Sequence, residues 1–143
     1  MEGLPPLEGE PYYVSKCNDR RKYQRLNLNI NVVYRVDSPM YARVTFGTKE
    51  IEATTLNIGE GGIAIMTEQD IPLWTILSMK FRLIRMDREG KVNYSEPVEM
   101  AGEVRSNNIF EDRNHHRLGI SFVHKDTTIR NRIGDFVIKT VEL

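Results

Sequence analysis

A single cysteine, Cys17, in a chain of 143 residues excludes an internal disulfide and any zinc site built from several thiolates, and it fits a reducing compartment. No apolar run approaches the roughly 20 residues that a membrane-spanning helix needs. The amino terminus, MEGLPPLEGEPYY, lacks the basic segment and apolar stretch of a secretory signal, so the expectation is a soluble, cytoplasmic protein without membrane insertion. Net charge is missing too, because twenty Lys and Arg offset twenty Asp and Glu. The chain therefore has none of the overall bias of proteins that coat nucleic acid or lie on anionic membranes. Aromatic residues make up only 8%, and several fall at inward-pointing positions, which leaves no stacking platform for a single-stranded nucleic acid polymer. A catalytic or metal constellation is equally hard to assemble. His115, His116 and His124 lie near charged loop residues without an identifiable third ligand, and nothing places Cys17 beside a histidine as a nucleophile pair. The reading is a protein that is not an enzyme and has no metal and no catalytic cofactor.

What is present is enough apolar material, 40% of the chain, for one core that buries roughly two thirds of the unfolded surface. Residues 1–18 hold Pro5, Pro6 and Pro11 and read as an extended arm; the domain is placed at 19–143. From Leu26 to Val36 apolar residues recur at every second position, with Asn27, Asn29, Asn31 and Arg35 between them, the pattern of a half-buried strand. DSP at 37–39 ends it. Further strands are expected at YARVTF, EIEATTL, GIAIMT, ILSMKFRLIRM, VEMAGEVRS and RLGISFV, each bounded by Gly, Pro, Asn or Asp. DREGK at 87–91 reads as a hairpin tip and NNIFEDRNHH at 107–116 as a longer exposed connection. Trp74, after DIPL, reads as a hydrophobe at the barrel end. The period changes in the last segment. Ile129, Ile133, Phe136, Val137 and Val141 follow the spacing of one helix face, with Asp126 and Thr127 as caps. The architecture this implies is an all-β dominated fold, a small antiparallel barrel closed by a C-terminal amphipathic helix.

Two local features stand out from this frame. Arg20, Arg21, Lys22 and Arg25 place four cations in six residues at the mouth of the first strand, in a chain otherwise mildly acidic. Arg21 and Arg25 lie four apart, which puts them on one side in either a helical turn or a strand. An arginine fork bonds phosphate or the O6 and N7 edge of guanine at two points. The second feature, LNIGEGGIAI at 56–65, brings Gly59, Gly61 and Gly62 together in a tight connection. Such crowding implies positive φ or a close approach by another group. Asn57 at its entrance offers an acceptor and two donors, which suits a guanine edge as well as a plain turn. The segment has neither the helix-opening context of a dinucleotide fingerprint nor the lysine of a phosphate loop.

RKYQR at 21–25 followed by NIGEGG at 57–62 resembles the paired signatures of PilZ domains, R-x-x-x-R and D/N-x-S-x-x-G. RLGISFVHKD is similar to that family's late strand. The resemblance covers about residues 19 to 141. It implies a six-stranded antiparallel split β-barrel with a carboxy-terminal helix, and binding of cyclic di-GMP, a bacterial second messenger with two guanines and two phosphates. Carried over, Arg21 and Arg25 contact guanine edges and phosphates, Arg20 stacks or adds a contact, Asn57 bonds a guanine edge, and the Gly61–Gly62 turn gives the backbone room beneath the ligand. Gly59 stands where the family has serine, so one hydroxyl is missing. The implied function is a receptor in motility or biofilm signalling that acts on a downstream protein partner, with oligomeric state open. The alternative is a ligand-free adaptor of the same fold.

Overall fold

The computed structural model describes residues 25–123 and 127–141. Among the described residues seven strands, β1 (Arg25–Asn27), β2 (Asn31–Ser38), β3 (Ile51–Gly59), β4 (Gly62–Thr67), β5 (Ile76–Met86), β6 (Val92–Ile109) and β7 (His116–Phe122), form one antiparallel sheet. Helix α1 (Met40–Phe46) follows β2, and α2 (Thr127–Val141) follows β7. Pairing runs β2–β5–β6–β7–β4–β3 and returns to β2. Six strands thus close a ring, which removes the exposed edges an open sheet would leave.

Alternation along the strands fills the ring. Ile58, Ile63, Ile120 and Val104 oppose one another across β3, β4, β7 and β6 and none is more than 2% exposed. Tyr34 is also fully inside; its hydroxyl shares a hydrogen bond of 2.7 Å with Thr67, and burial pushes its pKa up to about 12. At one end α2 lays Ile133, Phe136 and Val137 into the core, each contributing about 1.5–3 kcal/mol by leaving water. The Phe136 ring lies 5.6 Å from that of Tyr94. Gly134 of α2 faces the β3–β4 turn, where a Cβ would displace the movable Glu60 carboxylate, 2.5 Å away. No helix of the described residues is long and apolar enough to cross a membrane.

GIAIMT and ILSMKFRLIRM coincide with β4 and β5, and the helix at the end forms with the expected buried face. The connection expected at 107–116 is shorter, because Asn107–Ile109 end β6 and His116 begins β7, and two further expectations need correction. YARVTF is not a strand but most of α1. Its alternation of Met40, Ala42, Val44 and Phe46 imitates a strand, yet Met40 and Val44 are 69% and 75% exposed. The residues that turn inward, Ala42 and Phe46, are four apart, a helical spacing. Pro39 at the start and Gly47 at the end, with φ of 77° and its N–H donating to the Arg43 carbonyl at 2.8 Å, are helix-end signals that outweigh the alternation.

The strand expected from Leu26 to Val36 is interrupted at 28–30. β1 pairs with the end of β3 and β2 with its beginning. Between them β3 carries a bulge: Thr55 opposes Ile65 and Asn57 opposes Ala64, leaving Leu56 as an extra residue. The chain opposite keeps contact through the Leu28 N–H to the Leu56 carbonyl and the Thr55 N–H to the Ile30 carbonyl, at 3.2 and 2.8 Å.

Candidate functional site

The bulge at Leu56 decides where Asn57 points. Without it, strict alternation after the buried Thr55 would send Asn57 to the core; the extra residue moves it to the outer face beside Ala64. Arg25 opposes Gly59, and Asn27 opposes Asn57, in the β1–β3 register. Leu26 goes inward against Ile58, so Arg25 goes outward with Asn57. There the Arg25 Nη1 donates to the Asn57 Oδ1 at 2.9 Å. The two halves of the sequence signature, 32 residues apart in the chain, are thereby joined. That bond leaves the Asn57 Nδ2 donors and the second lone pair of Oδ1 to other partners.

Gly62 realises the close approach expected of the glycine turn. A Cβ there would lie 2.2 Å from the Ile120 carbonyl oxygen and 3.3 Å from the Arg25 Nη2. Positive φ belongs to Gly47 and Gly90 instead. Arg25, Asn57 and Gly61 line a concavity of about 350 Å³ on the outside of the barrel. Arg20 and Arg21 lie outside the described residues, as do Cys17 and His124.

The far wall of the concavity lies outside both sequence signatures. It comprises Arg105 and Ser106 of β6 with Arg117, Gly119 and Ser121 of β7. The signal was available in RLGISFV, where Arg117, Gly119 and Ser121 alternate with Leu118, Ile120 and Phe122. The first three share the face opposite the core. Arg105 is committed at its rim: its Nε donates to the Glu103 Oε1 at 2.9 Å, and its guanidinium lies 5.2 Å from the Trp74 ring centre. Trp74, expected as a hydrophobe at the barrel end, is 58% exposed with a φ of 72°.

A larger groove of about 790 Å³ runs between the 26–31 segment, the end of β5 and α2. It excludes Asn57 and the glycine turn, and one of its two cations, Arg85, packs over Tyr94 and Phe136 at 5.1 and 5.9 Å. His115 and His116 stand apart from both. His115 Nδ1 is 2.7 Å from the Asp112 Oδ2, and His116 Nδ1 is 2.9 Å from the Asn107 Oδ1. The Asn114 backbone N–H, followed by the His115 contact, holds the Asp112 carboxyl below its ordinary range. Among the described residues no group of three His, Cys, Asp or Glu side chains is arranged to hold a metal ion.

The geometry has counterparts in known proteins. The family model described as PilZ domain matches residues 19–139. The Bacillus subtilis inhibitor of motility MotI/DgrA is 16% identical with a TM-score of 0.65, over 85% of this chain and 51% of that one. The PilZ domain with c-di-GMP of YcgR from Escherichia coli is 11% identical with a TM-score of 0.55, over 87% of this chain and 93% of that one. The K. pneumonia MrkH–c-di-GMP complex is 12% identical with a TM-score of 0.58, over 87% and 53%. The chain thus spans about half the length of MotI/DgrA and of MrkH. No curated protein matches.

Proposed function

Because the chain belongs to the PilZ domain family, we propose that it is a non-enzymatic receptor for cyclic di-GMP, held by Arg20, Arg21 and Arg25 together with Asn57 and the turn of Gly59, Gly61 and Gly62. One observation carries this reading. The Arg25–Asn57 hydrogen bond of 2.9 Å sets a forked cation beside an amide at the edge of a concavity, the pairing of groups that a doubly anionic guanine ligand calls for. The presence of c-di-GMP in two similarly folded structures supports the choice of ligand. The ligand ties the arginine segment that precedes β1 to the barrel and so alters the surface offered to a protein partner in motility or biofilm control, in the cytoplasm. Isothermal titration with cyclic di-GMP is expected to give saturable heat at micromolar ligand; a folded chain that gives none would sink the proposal.

A second reading, an adaptor that works through protein contacts alone, is favoured by Gly59. This residue opposes Arg25 in the strand register and lacks the hydroxyl of the family pattern. A neutral hydrogen bond is worth about 0.5–1.5 kcal/mol, which corresponds to about two- to tenfold in affinity. Gly59→Ser is therefore expected to tighten binding by about that factor. A Gly59→Ser variant that binds when the native chain does not would establish the adaptor reading instead.

A further inference from the structure

The residues of the two signatures account for one side of the concavity only. Across the sheet, Asn57, Ala64, Gly119 and Ser106 oppose one another in a single row over β3, β4, β7 and β6. This row neighbours the core row of Ile58, Ile63, Ile120 and Val104 and lies on the opposite, outer face. Its middle members carry a methyl group and no side chain at all. A Cβ at Gly119 would meet the Ser106 Oγ at 2.4 Å, so even a methyl group there requires the Ser106 hydroxyl to turn aside. The result is a strip of small groups between two polar ends, with Ala64 nearly covered at 4% exposure and Gly119 and Ser106 more open, and a planar ring can approach that open part where larger side chains would hold it away.

The strip is fenced by cations on both sides. Arg25 stands at the β3 side. Arg117, two residues before Gly119 on β7 and on the same face, stands at the other. Among the described residues Arg117 makes no ion pair, whereas Arg105 beside it is engaged by Glu103 and Trp74. A half-buried guanidinium lining a concavity without a carboxylate partner is placed to receive an anion from outside the chain.

On the premise that the site receives cyclic di-GMP, we infer that the Ala64–Gly119–Ser106 strip is the floor on which one guanine of the ligand lies, and that Arg117 is a ligand-binding residue that takes the phosphate on the side away from Arg25. Two phosphates of one ring-closed dinucleotide then span the two walls. A mononucleotide carrying one phosphate reaches only one of them, so Arg117 also sets the preference for the cyclic dinucleotide.

The test is titration of the whole chain and its Arg117→Ala and Arg117→Gln variants with cyclic di-GMP and with GMP, alongside thermal melting. Both variants are expected to bind cyclic di-GMP at least about tenfold more weakly with unchanged melting temperature, and their preference for cyclic di-GMP over GMP is expected to shrink by a similar factor. If Arg117→Ala melts early, Arg117→Gln, which keeps most of the side-chain stem, decides. Binding of cyclic di-GMP by Arg117→Gln within about twofold of the native chain overturns the inference while leaving the receptor reading intact. No binding by the native chain overturns both.

Discussion

Arg25→Ala is expected to lower the affinity for cyclic di-GMP by about ten- to a hundredfold. A hydrogen bond to a charged group is worth about 1.5–3 kcal/mol, and every 1.4 kcal/mol is about tenfold in affinity. Two losses combine at this position. The forked donor to the ligand disappears, and Asn57, only 7% exposed, loses the partner that orients its amide. An amide free to rotate presents the wrong edge part of the time. Arg25→Lys separates the two effects: it keeps the positive charge but not the planar fork, so it is expected to recover part of the affinity and little of the orientation. Stability is expected to fall by at most the cost of leaving the nearly buried Asn57 amide without this partner, about 1–3 kcal/mol, because the β1–β3 ladder itself is made by the backbone. Isothermal titration of the three proteins at one salt concentration checks this. Binding by Arg25→Ala within about twofold of the native chain would remove the site from this edge of the barrel.

The strands that could be read from the sequence are those whose pattern had a single explanation. GIAIMT, buried on both faces, is placed by its short apolar run between turn residues, while in ILSMKFRLIRM the apolar positions face a core on one side and period two is enough to place them. YARVTF defeats the same rule. Alternation there records composition rather than burial, and Pro39 and Gly47, which bracket it, carried the better information. The interruption after Asn27 had no local cue at all. It follows from the bulge at Leu56 on the partner strand, and a bulge is a property of two strands in register rather than of one segment.

The candidate site divides along the same line. Asn57 was identifiable as a polar residue before a glycine turn, but its outward direction depends on that bulge. On period two alone it would share the core face with Thr55. Arg25 was identifiable from its cluster, and its partner was not, because the bond crosses 32 residues of chain. Arg117 and Gly119 were open to inspection in RLGISFV as the non-core face of a strand. They gain meaning only once β7 is known to lie beside β4, a neighbour relation that sequence order does not supply. A second bulge, with Arg105 as the extra residue between Val104 and Ser106, keeps Ser106 on the outer face against Gly119. Both walls of the concavity therefore rest on a bulge next to the site.

Gly62→Ala is expected to be the most damaging single-methyl change in the signature. The added Cβ would stand 2.2 Å from the Ile120 carbonyl oxygen, a backbone atom held in the β4–β7 ladder, where Gly62 opposes Ser121. A side chain could rotate away; a ladder carbonyl cannot move without opening the strand pair. The neighbouring bond from the Phe122 N–H to the Gly61 carbonyl, 3.0 Å, is at risk in the same movement. Overpacking of this kind costs about 1–3 kcal/mol and occasionally more, and at this chain length each kcal/mol lowers the melting temperature by about 3–4 °C. A fall of about 3–12 °C is the expected result. Binding should weaken as well, since the second atom that the new methyl approaches is the Arg25 Nη2, at 3.3 Å. Gly90→Ala is the control that isolates the mechanism. Gly90 has a φ of 86° and open space within 4 Å of where the methyl would stand, so its substitution costs only the left-handed backbone strain of about 1–2 kcal/mol and leaves the ligand affinity untouched. Thermal melts and titrations of both variants distinguish the two causes. If Gly62→Ala melts with or above Gly90→Ala and binds as the native chain does, the close strand approach is not what requires glycine at position 62.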